Sequence, residues 1–279
     1  MSTPACPTEL RRLYREGRVI PFVGAGASMS VTWSTDGKTI RGPSWRELVD
    51  QAAHLLGVDD PELLRIRGTD LQIIEYLRTK EDTIQPLINW LVQRMNPSDA
   101  DLERAELLTA LVGLKDCHLF YTTNYDDFLE RRLKLSGRSI TAVRSEHDLS
   151  NLPTDTQVVK FHGDFARPET MVLSESDYER RMRLEGPLDL KLRSDILGRA
   201  LLFIGYSFRD ANVAYLFRLV TDHFRDLPQS FAGKRAYIIY PNPSDFETQL
   251  FNSRRIDVIP VSGEKLGKEI ADVLAQMVL

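Results

Sequence analysis

The chain has 279 residues, a net charge of −4, and 42% hydrophobic against 27% charged residues, a balance typical of a protein with a buried core. No apolar run reaches the roughly 18 residues of a membrane-spanning helix, the N-terminus lacks the apolar stretch of a secretory signal, and the acidic charge gives no general attraction to nucleic acid. Cys6 and Cys117 stand far apart, without a C-x-x-C pair, which argues against structural zinc. We therefore expect a cytoplasmic protein without metal that binds neither membrane nor DNA.

Short apolar runs alternate with helical patterns along the chain. Most of these runs are apolar throughout, as in strands that helices cover on both faces. Strands that alternate with helices favour right-handed crossovers and an open, parallel sheet. The sequence therefore predicts an α/β fold with a doubly wound, mostly parallel, Rossmann-like sheet and a helical insertion module. The predicted strands are 18–24, 118–124, 157–163, 200–207, 235–241 and 256–261.

Helical patterns occupy the intervals between these runs. The stretch "PSWRELVDQAAHLLG" carries Ser44 and Glu47 at the spacing of a capping box, and Gly57 is its predicted stop. Another helix is predicted at about 210–222, and the pattern of 263–279 predicts one at the end of the sequence.

Two segments interrupt the alternation of strands and helices. Residues 58–115 carry amphipathic helical patterns without a convincing strand, and 166–195 are a smaller, largely helical segment. We interpret both as insertions that pack on the sheet of a single domain, 1–279, with the ligand cleft between the helical module and the sheet. The Rossmann-like core is then formed by 8–57, 116–165 and 196–279.

Four predicted strands end in residues suited to binding or catalysis. In an open α/β sheet, ligands bind beyond the carboxyl ends of the strands. The first strand runs into "GAGAS", where Gly24 and Gly26 permit close backbone approach and the following helix start could hold a pyrophosphate. Met29 stands where a full dinucleotide fingerprint has its third glycine. A tight strand-to-helix turn without a ligand is the alternative interpretation.

The other three strand ends carry polar side chains or a second glycine turn. Asn124 and Asp126 lie in "YTTNYDDFLE", His162 in "VVKFHGDF", and Gly205 and Ser207 in "LLFIGYSFRDANV". Each alone has a structural explanation as a turn, a cap or a buried histidine. Together at one sheet edge they indicate a nucleotide site that contains catalytic candidates.

With "GAGAS", "TTNYD", "KFHG" and "GYS" in this order, the sequence resembles the sirtuin family, and within it the zinc-free bacterial branch of NAD-cleaving proteins associated with defence against phage. The resemblance implies NAD as the substrate and no metal. It places Gly24, Ala25, Gly26 and Ser28 near the pyrophosphate, Gly205 and Ser207 near the adenosine, and Asn124, Asp126 and His162 around the nicotinamide riboside.

The sequence departs from deacylating sirtuins in two places. Those proteins usually carry two cysteine pairs that hold zinc after the histidine, whereas no cysteine lies between Gly163 and Gly205 here. Where they tend to have a Gly-Ile-Pro-Asp-Phe-Arg segment, this chain reads "MSVTWSTDGKTIRGPSW". Both departures concern the walls of the acyl-lysine channel and disfavour a deacylase.

Cleavage of the bond between nicotinamide and ribose releases a neutral leaving group while positive charge grows on the ribose, so the protein must orient the dinucleotide and a nucleophile. Asn124 could orient a water or a ribose hydroxyl. His162, expected to titrate near neutrality, could deprotonate either one. Asp126 would favour the developing cation or fix local geometry.

These residues and this resemblance are compatible with three functions. The first is an NAD glycohydrolase that yields nicotinamide and ADP-ribose and depletes cellular NAD on infection. The alternatives are an NAD-dependent protein deacylase and a non-hydrolytic NAD or ADP-ribose scaffold. The substrate is either NAD or NADP, and the product is either ADP-ribose or a cyclic form of it.

Because a constitutive NAD hydrolase would kill its host, we expect gating by a homo-oligomer, a separately encoded partner, or both. The resemblance makes a HerA-like hexameric ATPase the first choice of partner, with a short Argonaute or another sensor as alternatives.

Overall fold

The computed structural model describes residues 5–149, 156–183, 185–206 and 236–279. Nine strands lie within these ranges. Seven form the main sheet and two form a separate hairpin. The strands are β1 Val19–Val23, β2 Thr32–Thr35, β3 Lys38–Arg41, β4 Leu119–Thr122, β5 Ile140–Val143, β6 Thr156–Lys160, β7 Ala200–Ile204, β8 Ala236–Pro241 and β9 Ile256–Val261.

The main sheet has the order β5-β6-β4-β1-β7-β8-β9, and all its described neighbours pair in parallel. This confirms the predicted α/β fold, and each of the six predicted strands is present. The seventh, β5, was missed because its four residues lie at the sheet edge and three of them are only partly buried, so no long apolar run marks it.

Fourteen helices surround the strands in the described part of the chain. The first seven are α1 Thr8–Arg15, α2 Ala25–Met29, α3 Trp45–Leu55, α4 Glu62–Arg65, α5 Asp70–Glu81, α6 Gln85–Arg94 and α7 Asp99–Arg104. The rest are α8 Glu106–Val112, α9 Phe128–Leu135, α10 Glu146–Leu149, α11 Glu175–Met182, α12 Pro187–Asp195, α13 Asp245–Ser253 and α14 Leu266–Val278.

Both faces of the sheet are covered by helices, so alternate residues of one strand enter different cores. In β1, Val19 and Val23 pack in the cluster that contains α1, α8, α9 and α14. Ile20 and Phe22 pack on the other face, with side chains of α11, α12 and α13. Burial on both faces explains the uninterrupted apolar runs of the sequence.

The helix α3 begins as its sequence predicts. The Ser44 side chain accepts a hydrogen bond from the Glu47 N–H, and the Glu47 side chain accepts one from the Ser44 N–H. The helix ends at Leu55, and Gly57 follows with φ of +78°, a conformation that glycine adopts without strain.

Packing groups the helices before β4 differently from the predicted boundaries of 58–115. A third apolar cluster joins α3, α5 and α6 with Met171 and Leu173, and we call α3 to α6 the helical module. The helices α7 and α8 instead pack into the core of the sheet, beside α9 and α14. An amphipathic pattern shows that a helix buries one face but does not show against which surface.

The smaller insertion at 166–195 connects the module to the sheet. Arg78 of α5 forms a two-pronged ion pair with Asp177 of α11, at 2.6 and 3.0 Å. Leu188 and Leu192 of α12 pack on the sheet.

Between β1 and the module, the chain forms the hairpin β2–β3, which was not predicted from the sequence. Asp36 and Gly37 form its two-residue turn with φ of +50° and +74°, as the favoured type I′ hairpin turn requires. Trp33 of β2 is buried against Phe128, with ring centroids 6.4 Å apart.

The predicted helix at about 210–222 and the candidate residue Ser207 lie outside the described residues. In the part of the chain that the structure describes, no helix has the length and apolar character needed to span a bilayer.

Candidate active site

The carboxyl ends of β6, β4, β1 and β7, which are neighbours in the sheet, hold the candidate residues. Because parallel strands end at the same edge, His162, Asn124, the Gly24–Ser28 turn and Gly205 are brought together there. Ala25, Ser28, Asn124, Asp126 and His162 all line one cleft.

The two glycine turns pack directly against each other. The Gly24 N–H donates to the Ile204 carbonyl at 2.8 Å, and the Gly26 N–H donates to the Gly205 carbonyl at 2.9 Å. A Cβ on Gly26 would lie 2.8 Å from Gly205 Cα, and one on Gly205 would lie 2.7 Å from the Ala27 nitrogen. The lack of side chains therefore serves a contact between two turns of the protein. The assignment of Gly24, Ala25, Gly26 and Ser28 to a pyrophosphate, and of Gly205 to the adenosine, stays a prediction.

The Asn124 amide is held by its nitrogen. Nδ2 donates to the Gly24 carbonyl at 3.1 Å and to Ser28 Oγ at 2.8 Å. Because a carbonyl can only accept, this contact fixes which end of the amide is which. Oδ1 is buried without a hydrogen-bond partner, which is uncommon for a buried polar atom. Asn124 thus contributes to the wall of the cleft an amide whose oxygen has no hydrogen-bond partner in the protein.

Behind Asn124, Ser28 donates to Asp126 Oδ2 at 2.7 Å, and the Phe128 N–H donates to Oδ1 at 3.1 Å. Asp126 and Ser28 are each 4% exposed. Burial raises the pKa of the Asp126 carboxyl, and the Lys160 charge and the Ser28 hydrogen bond oppose that rise. These contacts favour the alternative in which Asp126 fixes local geometry, and they make Ser28 the link between Asn124 and Asp126.

Lys160 and Glu130 complete this arrangement, and neither was predicted from the sequence. Lys160 Nζ lies 2.9 Å from Glu130 Oε1 and also donates to the backbone carbonyl of Asp126. A lysine inside the apolar strand "QVVKF" was the available signal, since a buried lysine requires a partner.

His162 is 1% exposed. Its ring meets that of Tyr178 edge to face, with centroids 5.6 Å apart. Burial, and secondarily the charge of Arg181, lower the pKa of His162 to about 3. The expectation that His162 titrates near neutrality is therefore wrong for the folded chain, because the apolar surroundings disfavour the imidazolium. The imidazole is unprotonated at neutral pH.

The cleft that contains these groups lies between the sheet edge and the helical module. It holds about 670 Å³ of space free of protein atoms, counting the part open to solvent. The wall on the module side is apolar. The sequence predicted a cleft at this place but did not identify the residues of this wall. That wall consists of Trp45 and Leu48 of α3, Leu91 of α6, and Met95.

Among the described residues, no group of three or more His, Cys, Asp or Glu side chains could hold a metal ion. Cys6 and Cys117 are both buried as free thiols.

Comparison with known proteins gives a consistent set of relatives. The NAD(+) hydrolase ThsA of Acinetobacter baumannii (strain 532279) is 30% identical over 207 residues, 73% of this chain and 39% of that protein. ThsA of Bacillus cereus (strain MSX-D12) is 26% identical over 197 residues, 70% of this chain and 38% of ThsA. Defense-associated sirtuin 2 of Bacillus subtilis is 24% identical over 254 residues, 88% of this chain and 23% of that protein.

The chain thus spans 23% to 39% of the length of these relatives. The family model described as SIR2-like domain matches residues 118–259, which is half of the chain and includes the ends of β4, β6 and β7. The chain belongs to the SIR2-like domain family.

Proposed function

We propose that the chain is an NAD+ glycohydrolase, which cleaves the bond between nicotinamide and ribose to give nicotinamide and ADP-ribose. Four relatives are named NAD(+) hydrolase ThsA, and this chain is 26% to 30% identical to them over 197 to 210 residues. The proposal extends that activity to this chain because the chemistry fits the groups in its cleft.

The observation that carries the proposal is the unpartnered Oδ1 of Asn124. An amide oxygen fixed in this way accepts a hydrogen bond from a ribose hydroxyl or from the attacking water without bringing a charge of its own. Orientation of these groups before the bond breaks removes much of the entropic barrier.

The unprotonated His162 lines the same cleft. An unprotonated imidazole is the form that can take a proton, and with a pKa of about 3 it is a weak base, suited to a water or hydroxyl that becomes acidic as it bonds to the cationic ribose carbon. Neutrality also avoids placing a second cation beside the positively charged nicotinamide ring, which would repel the substrate. In this proposal, Asn124 orients the ribose hydroxyl or the attacking water, and His162 accepts the proton.

The test is nicotinamide release from NAD by the purified chain, followed by chromatography. Asn124→Ala and His162→Ala are expected to abolish release. Asn252→Ala and His54→Ala, which alter exposed residues of the same types, are expected to retain it. Circular dichroism of each variant checks that it is folded.

The same assay separates the alternatives. Release that requires an acylated peptide would replace the hydrolase with a deacylase. NAD binding by a chain that releases nicotinamide in no state, with or without such a peptide, would favour the non-hydrolytic scaffold.

We further propose that this activity serves anti-phage defence by depletion of NAD in the cytoplasm. One relative is named Defense-associated sirtuin 2, which supports the proposal. Because unrestrained hydrolysis would exhaust the NAD of the host itself, we propose gating by a homo-oligomer or by a separately encoded partner. A HerA-like ATPase is the first candidate for that partner, with a short Argonaute as the alternative.

A further inference from the structure

A buried ion pair lies directly beneath the candidate active site. The side chains of Lys160 and Glu130 are 0% and 6% exposed, with Nζ and Oε1 2.9 Å apart. Lys160 ends β6, two residues before His162, and Glu130 lies on α9. The pair therefore joins the strand that leads to His162 to the helix that follows the Asn124 loop.

Lys160 makes a second contact, with that loop itself. Its Nζ donates to the backbone carbonyl of Asp126, two residues after Asn124. The Asp126 side chain in turn accepts from Ser28, and Ser28 accepts from the Asn124 amide. These hydrogen bonds, linked through the residue Asp126 itself, connect the end of β6 to the Asn124 amide.

Stability is a weak explanation for this arrangement. Burial of an ammonium and a carboxylate has a large desolvation cost, and an apolar pair of similar volume is often at least as stable. Asp126 adds a third ionisable group that is 4% exposed. A lysine that reaches both Glu130 and a loop carbonyl has, in contrast, a clear geometric effect, because it fixes the distance between two strand ends.

We propose that Lys160, held by Glu130, is a positioning residue that sets the Asn124 amide relative to His162. The inference rests on the proposed function, since the positions that it sets are those of the two candidate catalytic groups. Lys160 itself acts through the Asp126 loop.

Lys160→Met alone would leave Glu130 buried without its partner, so loss of folding would explain any loss of activity. The informative variant is the double substitution Lys160→Met with Glu130→Leu, which replaces the ion pair with apolar groups of similar size. The matched control is Arg138→Met. Arg138 lies near the opposite, amino ends of β6 and β4, where it donates to the hydroxyl of Thr156, the first residue of β6, at 3.0 Å and to the carbonyl of Cys117, two residues before β4, at 2.5 Å.

Three measurements are made on the unaltered chain and on each variant: the melting temperature, kcat and KM for nicotinamide release, and the side-chain amide NMR signal of Asn124. That signal is identified by its absence in Asn124→Asp. We expect the folded double variant to lose about 10-fold or more in kcat with KM within about 3-fold, since misplacement by about 1 Å can cost about 100-fold in rate. We also expect its Asn124 signal to shift. Arg138→Met should lower the melting temperature and leave kcat, KM and the Asn124 signal unchanged.

A folded double variant with unchanged kcat and an unshifted Asn124 signal would overturn the inference. So would equal losses of kcat in the double variant and in Arg138→Met, because both would then act through stability. Should the unaltered chain release no nicotinamide in any state, the proposed function fails, and the NMR signal decides the inference separately. An unshifted signal then rejects the link between Lys160 and Asn124, and a shifted one supports it.

Discussion

The hydroxyl of Ser28 joins the amide of Asn124 to the carboxylate of Asp126. Ser28→Ala removes a donor from a buried carboxylate, and we expect the free energy of unfolding to fall by about 1–3 kcal/mol. We also expect nicotinamide release to fall by about 10-fold or more, because Asn124 then loses one of its two anchors. Urea denaturation and the release assay measure the two effects.

Ser30→Ala is the matched control for this prediction. Its hydroxyl donates to the Ala27 carbonyl at 2.6 Å in a partly buried position. Removal of this hydroxyl therefore leaves no buried carboxylate without a hydrogen-bond donor. Equal effects of the two substitutions on activity would contradict the role of Ser28 as a link.

The buried imidazole of His162 has a consequence for stability against pH. In the unfolded chain it takes up a proton below about pH 6.5, whereas burial lowers its pKa in the folded chain to about 3. Between these values the unfolded state binds more protons, so the stability falls as the pH falls from 6.5 towards 3. When the pH falls from 7 to 5, we expect the free energy of unfolding of the unaltered chain to decrease by about 2 kcal/mol more than that of His162→Gln.

Urea titrations of both proteins at pH 7, 6 and 5 give this difference. The comparison cancels the titration of the carboxylates, which both proteins share. Parallel curves for the two proteins would show that His162 is protonated as easily in the folded chain as in the unfolded one.

At the scale of elements, the contact between the β1 and β7 ends depends on glycine. Gly205 and Gly198 both have φ of +75°, but a Cβ on Gly205 would lie 2.7 Å from the Ala27 nitrogen, whereas one on Gly198 meets nothing within 4 Å. Both Gly→Ala changes cost about 1–2 kcal/mol for the left-handed backbone. Gly205→Ala should cost about 1–3 kcal/mol more because the two turns must separate.

Thermal and urea unfolding of the two variants test this prediction. Gly205→Ala should also impair nicotinamide release, since the Gly24 carbonyl that holds Asn124 belongs to the displaced turn. Equal stabilities of the two variants would mean that the turns separate without cost.

Sequence patterns defined most elements but not their packing partners. The capping box at Ser44 and the apolar run of β1 are local features, so both were predicted and both are confirmed. The module boundary differs because α3 packs with α5 and α6, whereas α7 and α8 pack on the sheet. That choice depends on contacts between residues far apart in sequence.

For the whole molecule, the proposed gating predicts that activity depends on assembly. We expect light scattering to give a mass above the 31.9 kDa of one chain, or specific nicotinamide release to rise when the genomic neighbour is added. If assembly alone controls the site, release per chain should fall on dilution. A monomer with full activity at every dilution and no response to a partner would contradict the gating proposal.

The sequence by itself determined the parallel α/β sheet and the strand ends that carry Asn124, Asp126 and His162, because apolar runs and turn residues are local signals. Only the tertiary structure decided how these residues are used. It paired Gly26 with Gly205, made Ser28 a link, placed Lys160 beneath the site, and lowered the pKa of His162 to about 3. Each of these results depends on burial and on contacts between distant segments, and pattern and spacing do not encode either one.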